Sequence, residues 1–109
     1  MTAAIQPTRV YVDSASSRSA GVNRSITTTL ISQTLMAANP QRVNLIIKND
    51  TAVDQFINLG AVAVAVPGGG NYKIAAGGFF DLDLYTGAVN IISSGVDSAI
   101  SAREFSVVF

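Results

Sequence analysis

The sequence predicts an all-β protein: a single-domain β-sandwich or jelly roll of about eight short antiparallel strands with an extended N-terminal arm. Two patterns support this fold class. Apolar and β-branched residues recur in short runs with the period of two that is typical of half-buried strands. Turn residues separate these runs, so that one strand follows another about every 8–12 residues. A chain of 109 residues has room for one such domain and one hydrophobic core.

One short strand is predicted in the arm, and the others form the sandwich. The predicted strands occupy residues 8–12, 26–34, 41–49, 53–59, 61–66, 72–74, 79–85, 89–92 and 99–109. The alternation is clearest where Val43, Leu45 and Ile47 share one face of a strand. Residues 35–38 have the composition of a single helical turn, which Pro40 ends because proline disfavours helix at the residue before it.

Two further runs predict how their side chains are placed. Residues 61–66 alternate strictly between alanine and valine, so three small side chains share one face of a predicted strand. That face permits the close approach of another layer. In the last strand, Phe105, Val107 and Phe109 share one parity and therefore one face.

The only paired carboxylates close together in the sequence are Asp81 and Asp83. Their spacing of two places both on the outer face of one strand, with Phe80, Leu82 and Leu84 facing inward. As oxygen ligands they would suit Ca²⁺, but two ligands fall far short of about six. We therefore predict hydrated surface carboxylates and no metal site.

The sequence divides into an extended N-terminal arm, residues 1–25, and a β-sandwich domain, residues 26–109. The arm is rich in Ser, Ala and Gly between Asp13 and Ser25, and over residues 1–25 it holds three arginines against one aspartate. Such a segment can dock on an acidic or carbonyl-rich partner surface and become ordered there. The residues predicted to bind a partner are Arg9, Tyr11, Arg18 and Arg24. The alternative is that a polar arm simply carries scattered charge.

The composition favours assembly. Charged residues make up 13% of the chain, against about 25% in an average soluble domain, and the net charge is zero. A free monomer with so few charges would tend to associate, so we expect a homo-oligomer, a dimer or a trimer. The alternative is a monomer solvated by its serine and threonine hydroxyls. No run reaches the length of a membrane span, and no basic excess predicts nucleic-acid binding.

The side-chain inventory predicts a protein that is not an enzyme and needs no cofactor. Histidine and cysteine, the usual groups for proton transfer and nucleophilic attack near neutral pH, are absent. The glycines at 68–70 lack the Gly-Lys-Ser/Thr ending and the following helix of a phosphate-binding loop, and predict a hairpin turn. Aromatic residues that could line a sugar-binding groove are Tyr11, Tyr72, Phe79, Phe80 and Tyr85.

Several short motifs, taken in order, resemble a broad group of small structural proteins of tailed bacteriophages. In that group an "ANP.R" turn feeds a strand that ends near Asn, and a terminal Ala-Arg-Glu-aromatic closes the domain. The matching stretches are residues 34–42, 45–49, 56–60, 74–80, 87–89 and 101–105. The likeness spans roughly residues 33–105, and leaves out both the arm and the last residues.

The resemblance implies a structural role in the virion. The expected function is that of a capsid cement or decoration protein, made in the host cytoplasm, that binds the outer shell and bridges neighbouring subunits of the major capsid protein. A head–tail connector, tail or fibre-associated protein is the alternative within phage biology. A carbohydrate-binding module for host attachment is the alternative from another class. Copy number on the particle separates the first two, and saturable glycan binding identifies the third.

Overall fold

The computed structural model describes residues 21–66, 71–95 and 98–107. These residues form strands and loops, without a helix. The strands are β1 (Val22–Asn23), β2 (Ile26–Thr28), β3 (Gln33–Met36), β4 (Arg42–Lys48), β5 (Gln55–Leu59), β6 (Tyr72–Ile74), β7 (Phe79–Asp83), β8 (Val89–Ser93) and β9 (Ser98–Ser106). The predicted arm strand at residues 8–12 lies outside the described residues.

The strands form two antiparallel sheets, which confirms the predicted all-β sandwich. Sheet one has the order β1-β9-β4-β7, with β2 also paired to β9, and sheet two has the order β3-β8-β5-β6. From β2 to β9, consecutive strands lie in opposite sheets, as in a jelly roll, except that β5 and β6 are neighbours in sheet two. One lateral edge of the sandwich is formed by β6 and β7, each the last strand of its sheet.

The first two strands are one interrupted strand. Both pair with β9 in the same register, Asn23 opposite Arg103 and Ile26 opposite Ile100. At the interruption, the Ser25 hydroxyl accepts a hydrogen bond from the Ala102 backbone N–H at 3.0 Å. The side chain therefore replaces a ladder bond that the backbone does not make.

The core lies between the sheets and follows the predicted alternation. Leu45 and Ile47 of β4 are fully buried there, opposite Leu82 and Phe80 of β7. The buried apolar cluster comprises Leu35, Met36, Leu45, Ile47, Ile57, Ile74, Val89, Ile91, Ile100 and Ala102. Residues 35 and 36 thus end a strand, and the predicted helical turn is wrong because these side chains are needed in the core.

The predicted strand 26–34 is divided in two, because the chain changes sheet between β2 and β3. A turn at residues 29–32 makes the crossing, and the Thr29 hydroxyl accepts the Ile31 N–H across it at 3.2 Å. Leu30 and Ile31 are exposed in this turn. A continuous run of β-branched residues gives no sign of such a crossing, since period and composition are the same on both sides.

Residues 61–66 form a loop and not the predicted strand, although their alternation has the predicted consequence. Ala63 is buried against Phe56 and Ile92 on the outer face of sheet two. The Ala63 N–H donates to the Ser32 hydroxyl at 3.0 Å, a bond that ties this loop to the turn before β3. The small face lets the loop lie close to the sheet and leaves the valines outside.

The predicted inward face of β7 holds for Phe80 and Leu82 but is wrong for Leu84. The strand ends at Asp83, and Leu84 adopts a left-handed backbone conformation with φ 65°. Its side chain is 80% exposed. Alternation places side chains only while the chain stays in the sheet, and Leu84 begins the turn that leaves it.

Candidate functional site

A buried cluster of charges lies at one end of the sandwich. Glu104 of β9 shares the inner face of its strand with Ile100 and Ala102 and is 2% exposed. Its two carboxylate oxygens bind different arginines. Arg42 Nε lies 2.7 Å from Oε2, and Arg24 NH2 lies 3.0 Å from Oε1. Two cations thus compensate one desolvated carboxylate, as burial of a charge requires.

A β-bulge turns Arg42 toward the interior. The register between β4 and β9 shifts between Arg42 and Asn44, and the extra residue there reverses the alternation. Arg42 is 2% exposed, and its guanidinium donates to four acceptors. They are Glu104 Oε2 at 2.7 Å, Tyr85 O at 2.9 Å, Gly87 O at 2.8 Å and Ala37 O at 2.6 Å. One side chain thereby joins the loop after β3, the loop after β7 and strand β9.

The loops at this end are also tied to each other. The Asn39 backbone N–H donates to Thr86 O at 2.8 Å, and the Asn39 side chain donates to the Ser106 hydroxyl at 2.9 Å. The Tyr85 hydroxyl donates to Ala88 O at 2.9 Å. The polar groups of the cluster are therefore hydrogen-bonded to each other, an arrangement that suits a structural role. We call Arg42, Glu104 and the loops that they join the clasp.

Burial by itself raises the pKa of Glu104, but hydrogen bonds from Arg42, Arg24 and Asn39 outweigh it. The net effect holds the pKa of this carboxyl below its ordinary value of 4.5. A depressed pKa in the folded state means that ionised Glu104 stabilises the fold above the unfolded-state pKa. That stabilisation is lost as the pH falls through the lower, folded-state pKa.

We expect the free energy of unfolding to decrease as the pH falls below about 4.5, partly because Glu104 takes up a proton. Urea unfolding of the wild type and of Glu104→Gln between pH 7 and pH 2.5 measures this contribution. The variant should start less stable and lose less stability with acid. Thr27→Ala, an exposed change that leaves Glu104 and its partners intact, should keep the wild-type slope, and parallel profiles for wild type and Glu104→Gln would contradict the assignment.

The surface of the described residues is rich in exposed apolar side chains. They are Val22, Leu30, Ile31, Val62, Val64, Val66, Tyr72, Phe79 and Leu84. The hydrogen bond between Ser32 and Ala63 brings the turn that carries Leu30 and Ile31 next to the loop of residues 61–66. We call the exposed side chains of these two loops, Leu30, Ile31, Val62, Val64 and Val66, the valine ridge. An apolar surface of this kind is typical of proteins that bind other macromolecules.

The predicted outward placement of Asp81 and Asp83 is confirmed, since both side chains are exposed on the outer face of β7. Asn44 of the neighbouring strand lies between them. Its side-chain amide donates to Asp81 Oδ1 and Asp83 Oδ1, each at 2.7 Å. Within the part of the chain that the structure describes, no three His, Cys, Asp or Glu side chains lie close enough to hold a metal ion.

A shallow depression of about 250 Å³ lies on the outer face of sheet one, beside the interruption of the first strand. It is lined by Asn23, Ser25, Ile46, Lys48, Ser101, Ala102 and Arg103. The Arg103 guanidinium donates to Gly21 O at 3.2 Å, and Lys48 faces Asp50 at 3.7 Å. The lining therefore brings hydroxyls and paired cations together, without an acid–base pair suited to catalysis.

The structure locates one of the four residues predicted to bind a partner. Arg24 contacts Glu104 within its own chain, with its side chain 45% exposed. Arg9, Tyr11 and Arg18 lie outside the described residues, and so do the glycines at 68–70. Strand β1 lies inside the predicted arm. The arm boundary at residue 25 stays a prediction, and so does partner binding by these four residues.

The aromatic residues predicted as a sugar-binding groove lie in different environments. Tyr72 and Phe80 pack together with ring centroids 5.6 Å apart, and Phe80 faces the core. Tyr72 and Phe79 are exposed, whereas Tyr85 is half-buried and packs against the core cluster. Tyr11 lies outside the described residues. Of these aromatic residues, as far as the structure describes them, only Tyr72 and Phe80 have their rings in contact, at the edge formed by β6 and β7.

Sequence reasoning missed the partnership of Arg42 and Glu104. A signal for Glu104 was present, since it has the parity of Ile100 and Ala102 and therefore belongs to their inner face. Arg42 carried no such signal, because regular alternation from Leu45 and Ile47 places it on the opposite face. Only the bulge corrects that placement.

Comparisons with protein-family models, curated proteins and solved structures found no match to this chain. Among the residues that the structure describes, no helix has the length and apolar character needed to cross a membrane.

Proposed function

We propose that this protein is a non-enzymatic structural component of a tailed-phage virion, a capsid cement or decoration protein that binds the outer shell and bridges neighbouring capsid subunits. The observation that carries the proposal is the apolar surface of a charge-poor domain. Among the residues that the structure describes, nine large apolar residues are exposed, including Val62 at 70% and Phe79 at 71%. A surface of this composition favours association with other subunits, because association removes its apolar side chains from water.

The hydrogen bonds that join the loops at one end of the sandwich support the same role. A bridging protein transmits force between its contacts, so the loops that make those contacts need a fixed position. Arg42 and Glu104 tie the loops at one end of the sandwich to the last strand. The resemblance to phage structural proteins, which rests on the sequence motifs, supplies the phage context. Modest contacts of such a domain gain strength through repetition on a symmetric shell.

Copy number and position on purified virions test the proposal. We expect on the order of hundreds of copies per particle, over the boundaries between capsomers, as the symmetry of a shell requires. Quantitative gel densitometry gives the number, and cryo-electron microscopy gives the position. A double substitution in the valine ridge, Val62→Ser with Val64→Ser, should reduce occupancy if this ridge contacts the shell. Thr27→Ala, an exposed change on sheet one, serves as the control.

The other outcomes contradict the cement role in distinct ways. About a dozen copies or fewer at one vertex would assign the chain to the connector or the tail. Absence from the particle would overturn the virion proposal altogether.

A further inference from the structure

Strand β7 presents an open edge. It pairs with β4 on one side, and among the described residues no strand pairs with its other side. Backbone groups along an antiparallel strand point alternately to its two sides. The Leu84 N–H donates to Val43 O, and Gly78 O accepts from the Asn49 N–H. In β7, therefore, the backbone N–H and C=O groups of the even-numbered residues point toward β4. The N–H and C=O groups of Phe79, Asp81 and Asp83 therefore point outward along the edge.

Charges near this edge are unbalanced. Among the described residues, the other acidic side chains pair with cations: Glu104 with two arginines, Asp50 with Lys48 and Asp54 with Lys73. Within this described part of the chain, the carboxylates of Asp81 and Asp83 have only the neutral amide of Asn44 within hydrogen-bond distance. A strand that carries a positive charge complements this edge, whereas a second β7 would bring like charges together.

We propose that residues 8–12 of a second copy of this chain add to the edge of β7 as an antiparallel strand. The segment reads Thr-Arg-Val-Tyr-Val, and it alternates in the way that the edge requires. With Arg9 opposite Asp81, Tyr11 lies opposite Phe79 on the outer face. In the same register, Val10 lies opposite Phe80 on the inner face, so charge meets charge and apolar side chains meet apolar side chains.

The direction of the strands favours a second copy over the same chain. An added strand antiparallel to β7 runs parallel to β1, which lies four strand spacings away, about 19 Å. In this register Val12 would lie at the same height along the sheet as Ile26. Gly21 precedes Ile26 by five residues, so the chain after Val12 must also run backward by about 16 Å along the strand direction. The diagonal of about 25 Å across the sheet uses nearly all of the ~30 Å that nine residue steps can span. Exchange between copies avoids this constraint and generates a dimer or a ring.

Charge reversal tests the proposed register. Analytical ultracentrifugation of the full-length chain should show an oligomer, and Arg9→Glu or Asp81→Lys should each weaken association at least ~10-fold. The double variant Arg9→Glu with Asp81→Lys should restore it. Thr27→Lys, which adds a positive charge on β2 at the far end of sheet one, should leave association unchanged. A wild type that is monomeric at all concentrations, or a double variant no better than the single ones, would overturn the proposal.

Disulfide capture distinguishes a second copy from the same chain. The chain has no cysteine, so introduced thiols report a single contact. Oxidising a mixture of the Tyr11→Cys and Phe79→Cys proteins should give a disulfide-linked heterodimer, because directly paired residues lie within disulfide reach. A mixture of Tyr11→Cys with Val62→Cys, which is exposed in the loop that lies over sheet two, should not. In the Tyr11→Cys/Phe79→Cys double variant, a disulfide that forms only within one chain, and never between two chains, would refute exchange between copies.

This inference deepens the proposed function by naming how copies contact each other, and it is tested without virus particles. A purified chain that stays monomeric but is abundant on virions overturns the arm exchange and leaves the virion proposal standing. A chain that exchanges arms but is absent from virions has the opposite consequence.

Discussion

Replacing Arg42 by alanine is expected to lower the free energy of unfolding by about 3–5 kcal/mol, because it leaves a buried carboxylate short of its main partner. Of its two arginines, Glu104 would retain Arg24, which is half exposed. The carbonyl groups of Ala37, Tyr85 and Gly87 would lose their donor at the same time. Urea denaturation followed by circular dichroism measures the loss, and thermal unfolding should shift down by at least ~12 °C.

Two further variants separate charge from geometry at this position. Arg42→Lys keeps the positive charge but lacks the planar fork that reaches four acceptors, so an intermediate loss of about 2 kcal/mol is expected. Arg103→Ala removes an exposed arginine from the same strand as Glu104 and should cost less than about 1 kcal/mol. A loss below 1 kcal/mol for Arg42→Ala would mean that the clasp does not stabilise the fold.

Asn49→Asp is expected to cost about 3 kcal/mol or more at pH 7, although it changes the side chain by one group. Asn49 is fully buried at the end of β4, where its amide nitrogen donates to Val53 O and Ile74 O, each at 2.8 Å. Its oxygen accepts from the Thr51 N–H and hydroxyl at 3.0 and 2.6 Å. A carboxylate would keep the second pair of bonds and set a negative oxygen against two carbonyl oxygens.

Asn23→Asp is the matched control for this change. Asn23 is exposed, and its side-chain oxygen accepts the Ser25 N–H at 2.9 Å, a bond that a carboxylate can also accept. The free energy of unfolding of the Asn23→Asp variant should stay within about 0.5 kcal/mol of the wild type. Equal losses for the two variants would show that the buried amide hydrogen bonds of Asn49 contribute nothing specific. The comparison needs only equilibrium urea unfolding of both proteins at neutral pH.

Part of the fold could be predicted because strand alternation is a local property. Val43, Leu45 and Ile47 marked β4, and the outward aspartates marked β7, since each residue pair two apart records which face is buried. The same reasoning failed at residues 61–66, where a loop lying flat on a sheet alternates as a strand does. It also failed at Leu84, because the pattern does not tell where a strand leaves its sheet.

For this protein the sequence by itself determined the fold class, most strand positions and the low content of charged residues. Only the tertiary structure decided that Arg42 meets Glu104, 62 residues away, and that β7 lies at an edge. The physical reason is that alternation reports the burial of each strand alone. Strand order and the bulge in β4 arise when distant segments satisfy each other's backbone groups and charges, and these choices place the candidate binding surfaces.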